Sequence, residues 1–251
     1  MSHSSIQRHV RRVRPALLSV FVAFGVGASL TWYFRTTIFL WLLAPARAQI
    51  SPTWQPIFTG PTEMMGQAIH LAMWGGFAMA FPVLVFQVFR LVRPLLNKQQ
   101  RRFVVLFLPA GLVCYLAGAA FAYFVLLPTG LGFLLQFGTD VAVPLLRISE
   151  YMSLVLAMVF WLGVVFELPL VMVGSTTLRI VKYSRWKQLR RYVPAMAFML
   201  AAIITPTFDI VNVTLVAVPI IVLFEVGLFF SWLVQLKLRR NARILRTSHS
   251  P

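Results

Sequence analysis

Two of the six acidic residues in this chain, Glu167 and Glu225, stand inside long apolar runs. A charged side chain within hydrocarbon costs about 2.5–3.5 kcal/mol on insertion scales, so each carboxyl group must face protein or water rather than lipid. Two kinds of chemistry are open to Glu167. It can be a protonated acid bonded to a neighbouring backbone group, or part of a polar patch that binds a partner helix or carries a proton. Gln87 and Thr205 are candidates to share its site. Glu225, midway along the last apolar run, has the same two readings, weighted towards the first. The other four acids, Glu63, Asp140, Glu150 and Asp209, lie between apolar runs or at their ends.

Other reactive groups are sparse. His70 has no second ligand near it in sequence, so it reads as a hydrogen-bonded interior side chain rather than a metal ligand. Cys114 is the only cysteine, which excludes an intrachain disulfide and a cysteine zinc cluster. The chain has no His-Glu-x-x-His, no phosphate-binding glycine loop and no Ser/His/Asp set at a recognisable spacing. The expectation is a protein that is not an enzyme and holds no cofactor or metal.

The elements that position these residues follow from composition. Of 251 residues 59% are hydrophobic and only 12% are charged, where a soluble domain carries roughly a quarter. That much apolar surface exceeds what one core can hide, and lipid is its natural solvent. A net charge of +17 on a soluble domain would suggest nucleic acid. Here the bases cluster between apolar runs, so anionic lipid and membrane topology account for them, and no nucleic acid is expected. The first apolar run is too long for a signal-peptide core and no small-residue cleavage site follows it, so no cleavable signal is expected.

The runs predict an all-α, polytopic membrane protein with one transmembrane domain over residues 1–251. Its spans are placed at 16–43, 64–89, 103–127, 151–177, 192–205 and 210–235, with basic tails at 1–15 and 236–251. The last two spans come from one run, Tyr192–Gln235. As a single helix at about 1.5 Å per residue it would reach roughly 66 Å, twice a bilayer core of about 30 Å. Thr205-Pro206-Thr207-Phe208-Asp209 is the turn that folds it back. The fifth span is then only about 21 Å long, and needs a thinned bilayer or shelter from its neighbours.

Charge tests the parity. Of the 23 Lys and Arg residues, all but Arg35, Arg47 and Arg147 fall in the two tails or in the loops after the second and fourth spans. The positive-inside rule therefore predicts six spans with both termini in the cytoplasm. Pro82, Pro109, Pro169, Pro194 and Pro219 each remove a backbone hydrogen bond and are expected to bend their helices. Trp32, Trp41, Trp54, Trp161, Trp186 and Trp232 mostly fall near span ends, as an interfacial belt requires, while Trp74 lies deeper.

Several strings, taken in order, resemble the TatC family of the twin-arginine protein translocase. They are Phe81-Pro82-Val83-Leu84-Val85-Phe86-Gln87-Val88, then Arg101-Arg102, then Ala117-Gly118-Ala119-Ala120-Phe121-Ala122-Tyr123-Phe124. Phe166-Glu167-Leu168-Pro169, Thr205-Pro206 with Asp209, and Leu223-Phe224-Glu225-Val226-Gly227 complete the set. The match runs from about His9 to Arg240. The resemblance implies six bent helices shaped like a cupped hand. It implies a subunit that binds signal peptides of folded cargo, recruits single-span TatA-like and TatB-like partners, and works in a larger complex driven by the proton-motive force. It also implies that Glu167, Gln87 and Thr205 contact a partner's helix, and that Pro45 is the proline of the family's first outer loop.

Two positions depart from the family pattern. The family reads His-Leu-x-Glu-Leu-Arg near the N-terminus, where this chain has His9-Val10-Arg11-Arg12-Val13-Arg14, so Arg12 replaces the Glu. The Glu that precedes the Arg pair of the first cytoplasmic loop is here Gln100. By the resemblance these acids pair with the twin arginines of the signal. Other readings remain open: a paralogue that does not itself read twin arginines, a proton-coupled solute carrier using Glu167, and an intramembrane hydrolase.

Overall fold

The computed structural model describes residues 3–51, 54–92, 98–136, 146–205 and 210–247; within these, the side chains of 3–13, 89, 91–92, 98–108, 136 and 238–247 are not described. The described chain is almost entirely helical. In order come α1 (His3–Tyr33), α2 (Arg35–Gln49), α3 (Glu63–Val92) and α4 (Lys98–Phe121). A π-helical turn (Ala122–Leu126) joins α4 to α5 (Leu127–Gln136). Then follow α6 (Ile148–Phe166), α7 (Leu168–Thr177), α8 (Tyr183–Leu189), α9 (Val193–Ile204) and α10 (Ile210–Thr247). Helix is what an apolar run must form in lipid, because only helix satisfies its own backbone polar groups.

Five helical stretches are long and apolar enough to cross a membrane: Arg14–Tyr33, Glu63–Val88, Pro109–Leu135, Ile148–Thr177 and Ile210–Lys237. They correspond to five of the six expected spans. The remaining one, α9, has 12 residues and is about 18 Å long. The expected first span, 16–43, is divided between α1 and α2 at Phe34, although backbone hydrogen bonding continues from Leu30 through Phe34 to Ile38.

The helices sort into two compact units, one of Met1–Leu95 with Leu116–Gly163, the other of Leu96–Tyr115 with Val164–Pro251. In the first, α1 and α3 pack closely through small residues. A Cβ added to Gly27 would stand 2.7 Å from Met79 Cβ and 3.0 Å from the Gly75 carbonyl. Phe24 lies against Gly76 and Thr31 against Gly75. Small residues let two backbones approach where no hydrophobic effect drives them together.

Helix α2 contains Pro45, which lacks the N–H that would bond the carbonyl four residues back, Trp41. That carbonyl is satisfied from outside the helix. The Tyr123 hydroxyl donates to Trp41 O at 2.6 Å, and the two rings stack with centroids 4.1 Å apart. Tyr151 donates to the next carbonyl, Leu42 O, at 2.7 Å. Tyr123 sits in the π-helical turn, whose extra residue shifts the direction of the side chains that follow. A short backbone bridge pairs Ile57 with Arg147. Beside it Arg147 donates to Thr59 Oγ1 at 2.8 Å and faces Glu63 and Glu150, each at 3.7 Å.

In the second unit α10 packs along α7, α8 and α9. Met172, Val193, Phe224 and Leu228 form its core, with Trp186 packed against them. At Gly227 an added Cβ would stand 2.7 Å from Met172 Sδ and 2.9 Å from Pro169 Cα, so only glycine admits α7 there. Helix α7 ends in a paired turn: Ile180 N–H bonds Ser175 O at 3.0 Å and Arg179 N–H bonds Thr176 O at 3.1 Å. Arg179 takes the left-handed position, φ 59°, usually held by glycine.

The expectation that all five prolines bend helix interiors needs correction. Pro82, Pro109 and Pro219 lie inside helices. Pro169 interrupts its stretch, Ile148–Thr177, where α6 gives way to α7 at Glu167. Pro194 instead opens α9, and in a first turn a proline's missing N–H costs nothing.

Candidate functional site

Glu167 occupies the interruption between α6 and α7. Pro169 cannot donate to the carbonyl four residues back, so the ladder lapses. The Glu167 N–H reaches Val164 O, only three residues back, at 3.1 Å, and Val171 N–H then resumes the ladder on Glu167 O at 2.9 Å. The side chain is 4% exposed. Its Oε1 is buried and has no hydrogen-bond partner among the described residues. It faces the bare backbone of Gly111 on α4: a Cβ there would stand 3.6 Å from Oε1. Cys114 and Tyr115, one turn further along α4, lie within electrostatic range of the carboxyl group. A buried oxygen with a free acceptor position, beside a glycine that leaves space, suits a donor brought in by another helix.

The residues expected to share this site use their polar groups elsewhere. Gln87 belongs to the first unit, where its Nε2 donates to Ser19 Oγ at 2.6 Å. Thr205 is 2% exposed and ends α9 with an extended backbone. Its hydroxyl donates to the carbonyl of Ala201 in its own helix at 2.8 Å. Asp209 and Pro206 lie outside the described residues, as do the side chains of Arg12 and Gln100. Pro45 is buried in α2, where its effect is the exposed Trp41 carbonyl.

Glu225 has a charged side chain as its partner, where the first reading expected a neighbouring backbone group. It accepts from Arg190 Nε at 2.7 Å, forming an ion pair at the edge of α10. Arg190, one of the bases of the loop after the fourth expected span, thus also pairs with an acid of the last one. His70 is hydrogen-bonded, as expected: Trp74 Nε1 donates to its Nε2 at 2.9 Å. Among the described residues no group of three His, Cys, Asp or Glu is placed to hold a metal ion.

Sequence reasoning passed over Tyr123 and Tyr151 as site-supporting residues. For Tyr123 the signal was present in Pro45, since a proline within a helix requires an outside donor for the carbonyl four residues back; for Tyr151 the sequence carries no such signal.

The fold and the buried acid define a multi-pass helical membrane protein with a polar point at a helix break. The Sec-independent protein translocase protein (TatC) family matches residues 8–219. TatC of Koribacter versatilis is 30% identical over 95% of this chain and 89% of its own length. TatC of Aquifex aeolicus is 31% identical over 92% and 96%, and that of Escherichia coli 31% over 89% and 86%. A crystal structure of the twin-arginine translocase receptor TatC superposes with a TM-score of 0.81 at 31% identity, covering 90% of this chain and 99% of that one. The chain belongs to the TatC family. It is a multi-pass membrane protein of the translocase.

Proposed function

We propose that this chain is the TatC subunit of a twin-arginine translocase, accepting folded cargo by its signal peptide and using the proton-motive force for transport. The observation that carries this reading is the likeness to the TatC receptor along nine-tenths of the chain. In this reading the chain crosses the membrane six times, with α9 as the short fifth span and both termini in the cytoplasm. The distribution of bases supports it. The partners are TatA-like and TatB-like single-span helices, further copies of the chain and anionic lipid; the subunit itself does no covalent chemistry.

Glu167 is assigned the partner-helix contact. Its unpartnered buried oxygen supports that role over a purely structural one. The substitutions at Arg12 and Gln100 favour a second reading, in which the chain assembles with partners but leaves twin-arginine recognition to another subunit.

Purification from native membranes in mild detergent tests the proposal. Single-span helical proteins should co-purify in defined ratio. Reporter fusions after Arg102, Arg191 and the C-terminus should report cytoplasm, and one near Asp140 the opposite side. Recovery of the chain alone, with saturable binding of a small solute, would support a carrier instead.

A further inference from the structure

Helix α8 runs into α9 through one tight turn. Arg190 N–H bonds Lys187 O at 3.4 Å and Tyr192 N–H bonds Leu189 O at 2.9 Å, each three residues back. Lys187 therefore stands one helical turn before Arg190 and Arg191, a spacing that leaves about 5–6 Å between Cβ atoms. All three line one recess of about 880 Å³ at this corner of the second unit, together with Arg185 and Tyr192. Arg190 gives its Nε to Glu225 at 2.7 Å, and the Arg191 guanidinium lies 4.6 Å from the Tyr192 ring centre. Lys187 and Arg191 have no ion pair among the described residues. Bases that only set topology need to lie on the correct side; nothing in that role gathers them on one turn around a recess.

The Arg190–Glu225 pair also fixes the height of this corner. Glu225 stands about 18 Å along α10 from Lys237, the first base of the C-terminal tail. That exceeds the reach of one arginine side chain, so the corner lies on the apolar side of the tail, beside the membrane-crossing stretch Ile210–Lys237. Cations at that level stay charged only where headgroups and water come in to meet them. Away from the recess, Tyr192, Met196 and Met199 are all exposed, and their spacing of four and three puts them on one face of α9. An apolar strip thus leads from the cations along α9.

We propose that this recess is a phospholipid site, with Lys187, Arg191 and the Nη groups of Arg190 around the phosphodiester and an acyl chain along Tyr192, Met196 and Met199. Guanidinium and ammonium donors make their strongest hydrogen bonds to phosphate oxygens, and here one acid faces three bases. An inorganic anion would leave the apolar strip uncovered, and an acidic polypeptide would bring further polar backbone to the level of the hydrocarbon. The inference gives a place to the anionic lipid of the proposed function. It rests on that partner alone, not on cargo export, signal peptides or partner helices.

The test uses the full chain in detergent, delipidated and then titrated with phosphatidylglycerol, with bound lipid counted by native mass spectrometry. One lipid should bind above the non-specific background. Lys187→Gln and Arg191→Gln should each weaken it about tenfold, the size of one lost charged hydrogen bond. Lys182→Gln removes the same charge from a base that does not line the recess, and should leave binding unchanged. The Lys187→Arg and Arg191→Lys variants should retain most of the binding, which separates loss of the site from loss of the fold. Diacylglycerol, lacking phosphate, should bind far more weakly, and millimolar inorganic phosphate should not displace the lipid. Co-purification of single-span proteins is scored separately, so the translocase reading stands or falls by itself. Equal losses from Lys182→Gln and the two recess substitutions, indifference to both recess substitutions, equal binding of diacylglycerol, displacement by inorganic phosphate, or capture of an acidic polypeptide with no retained phospholipid would each overturn the assignment.

Discussion

The Tyr123 hydroxyl donates to the Trp41 carbonyl at 2.6 Å, and that carbonyl lacks its helical N–H because Pro45 follows four residues later. Tyr123 is 5% exposed, so its removal leaves a buried acceptor unpaired. Tyr123→Phe should lower stability by about 1–2 kcal/mol. Pro45→Ala restores the missing N–H, so Tyr123→Phe in that background should cost much less. A double-mutant cycle on thermal unfolding in detergent measures the coupling. Equal costs in both backgrounds would show that the hydroxyl is not substituting for the proline's lost donor.

Arg190 and Glu225 lie 35 positions apart and meet at 2.7 Å, with side chains 60% and 39% exposed. Solvent screens such a pair, and exposed pairs are worth about 0.2–1 kcal/mol. Glu225→Ala should therefore destabilise only mildly. Exchanging the pair, as Arg190→Glu with Glu225→Arg, should recover part of the loss. A large loss of export activity with unchanged stability on Glu225→Gln would mean that the acid acts beyond this pairing.

Glu167 and Gly111 give a steric test of the partner contact. A methyl group at Gly111 would make ordinary contact with the carboxyl group, at 3.6 Å. Gly111→Ala should leave assembly intact. Gly111→Leu should fill the space beside Oε1 and reduce partner crosslinking as far as Glu167→Ala does, a loss of about three- to thirtyfold for one interhelical hydrogen bond of 0.6–2 kcal/mol. Site-specific cysteine crosslinking to a single-span partner reads the effect. Undiminished crosslinks in Gly111→Leu and Glu167→Ala would exclude this patch as the contact.

Arg12 and Gln100 bear on signal recognition. Two carboxylates would accept charge-assisted hydrogen bonds from two guanidinium groups; a cation and a neutral amide cannot do so together. Like charges about 5 Å apart repel by roughly 3 kcal/mol at an effective dielectric near 20. The chain alone should bind a twin-arginine signal peptide poorly, and Arg12→Glu with Gln100→Glu should restore binding, measured by affinity in detergent. Tight wild-type binding that falls when the signal's arginines become lysines would refute the expectation.

The sequence by itself determined the solvent and the rough path of the chain. Run length measured against bilayer thickness, and bases concentrated in alternate loops, are local properties that need no folded partner. The fold-back near Thr205 was legible for the same reason, with α9 ending at Ile204 and α10 starting at Ile210. What only the tertiary structure decided is where each polar group finds its partner. Gln87 meets Ser19 across 68 positions and Tyr123 meets Trp41 across 82. Glu225 meets Arg190, while Glu167 Oε1 is left facing Gly111. An apolar pattern fixes which face of a helix turns inward, but not which helix lies opposite or at what height. In a low-dielectric interior the cost of an unpaired polar atom then selects among those packings, and that selection is made between residues that no spacing along the chain brings together.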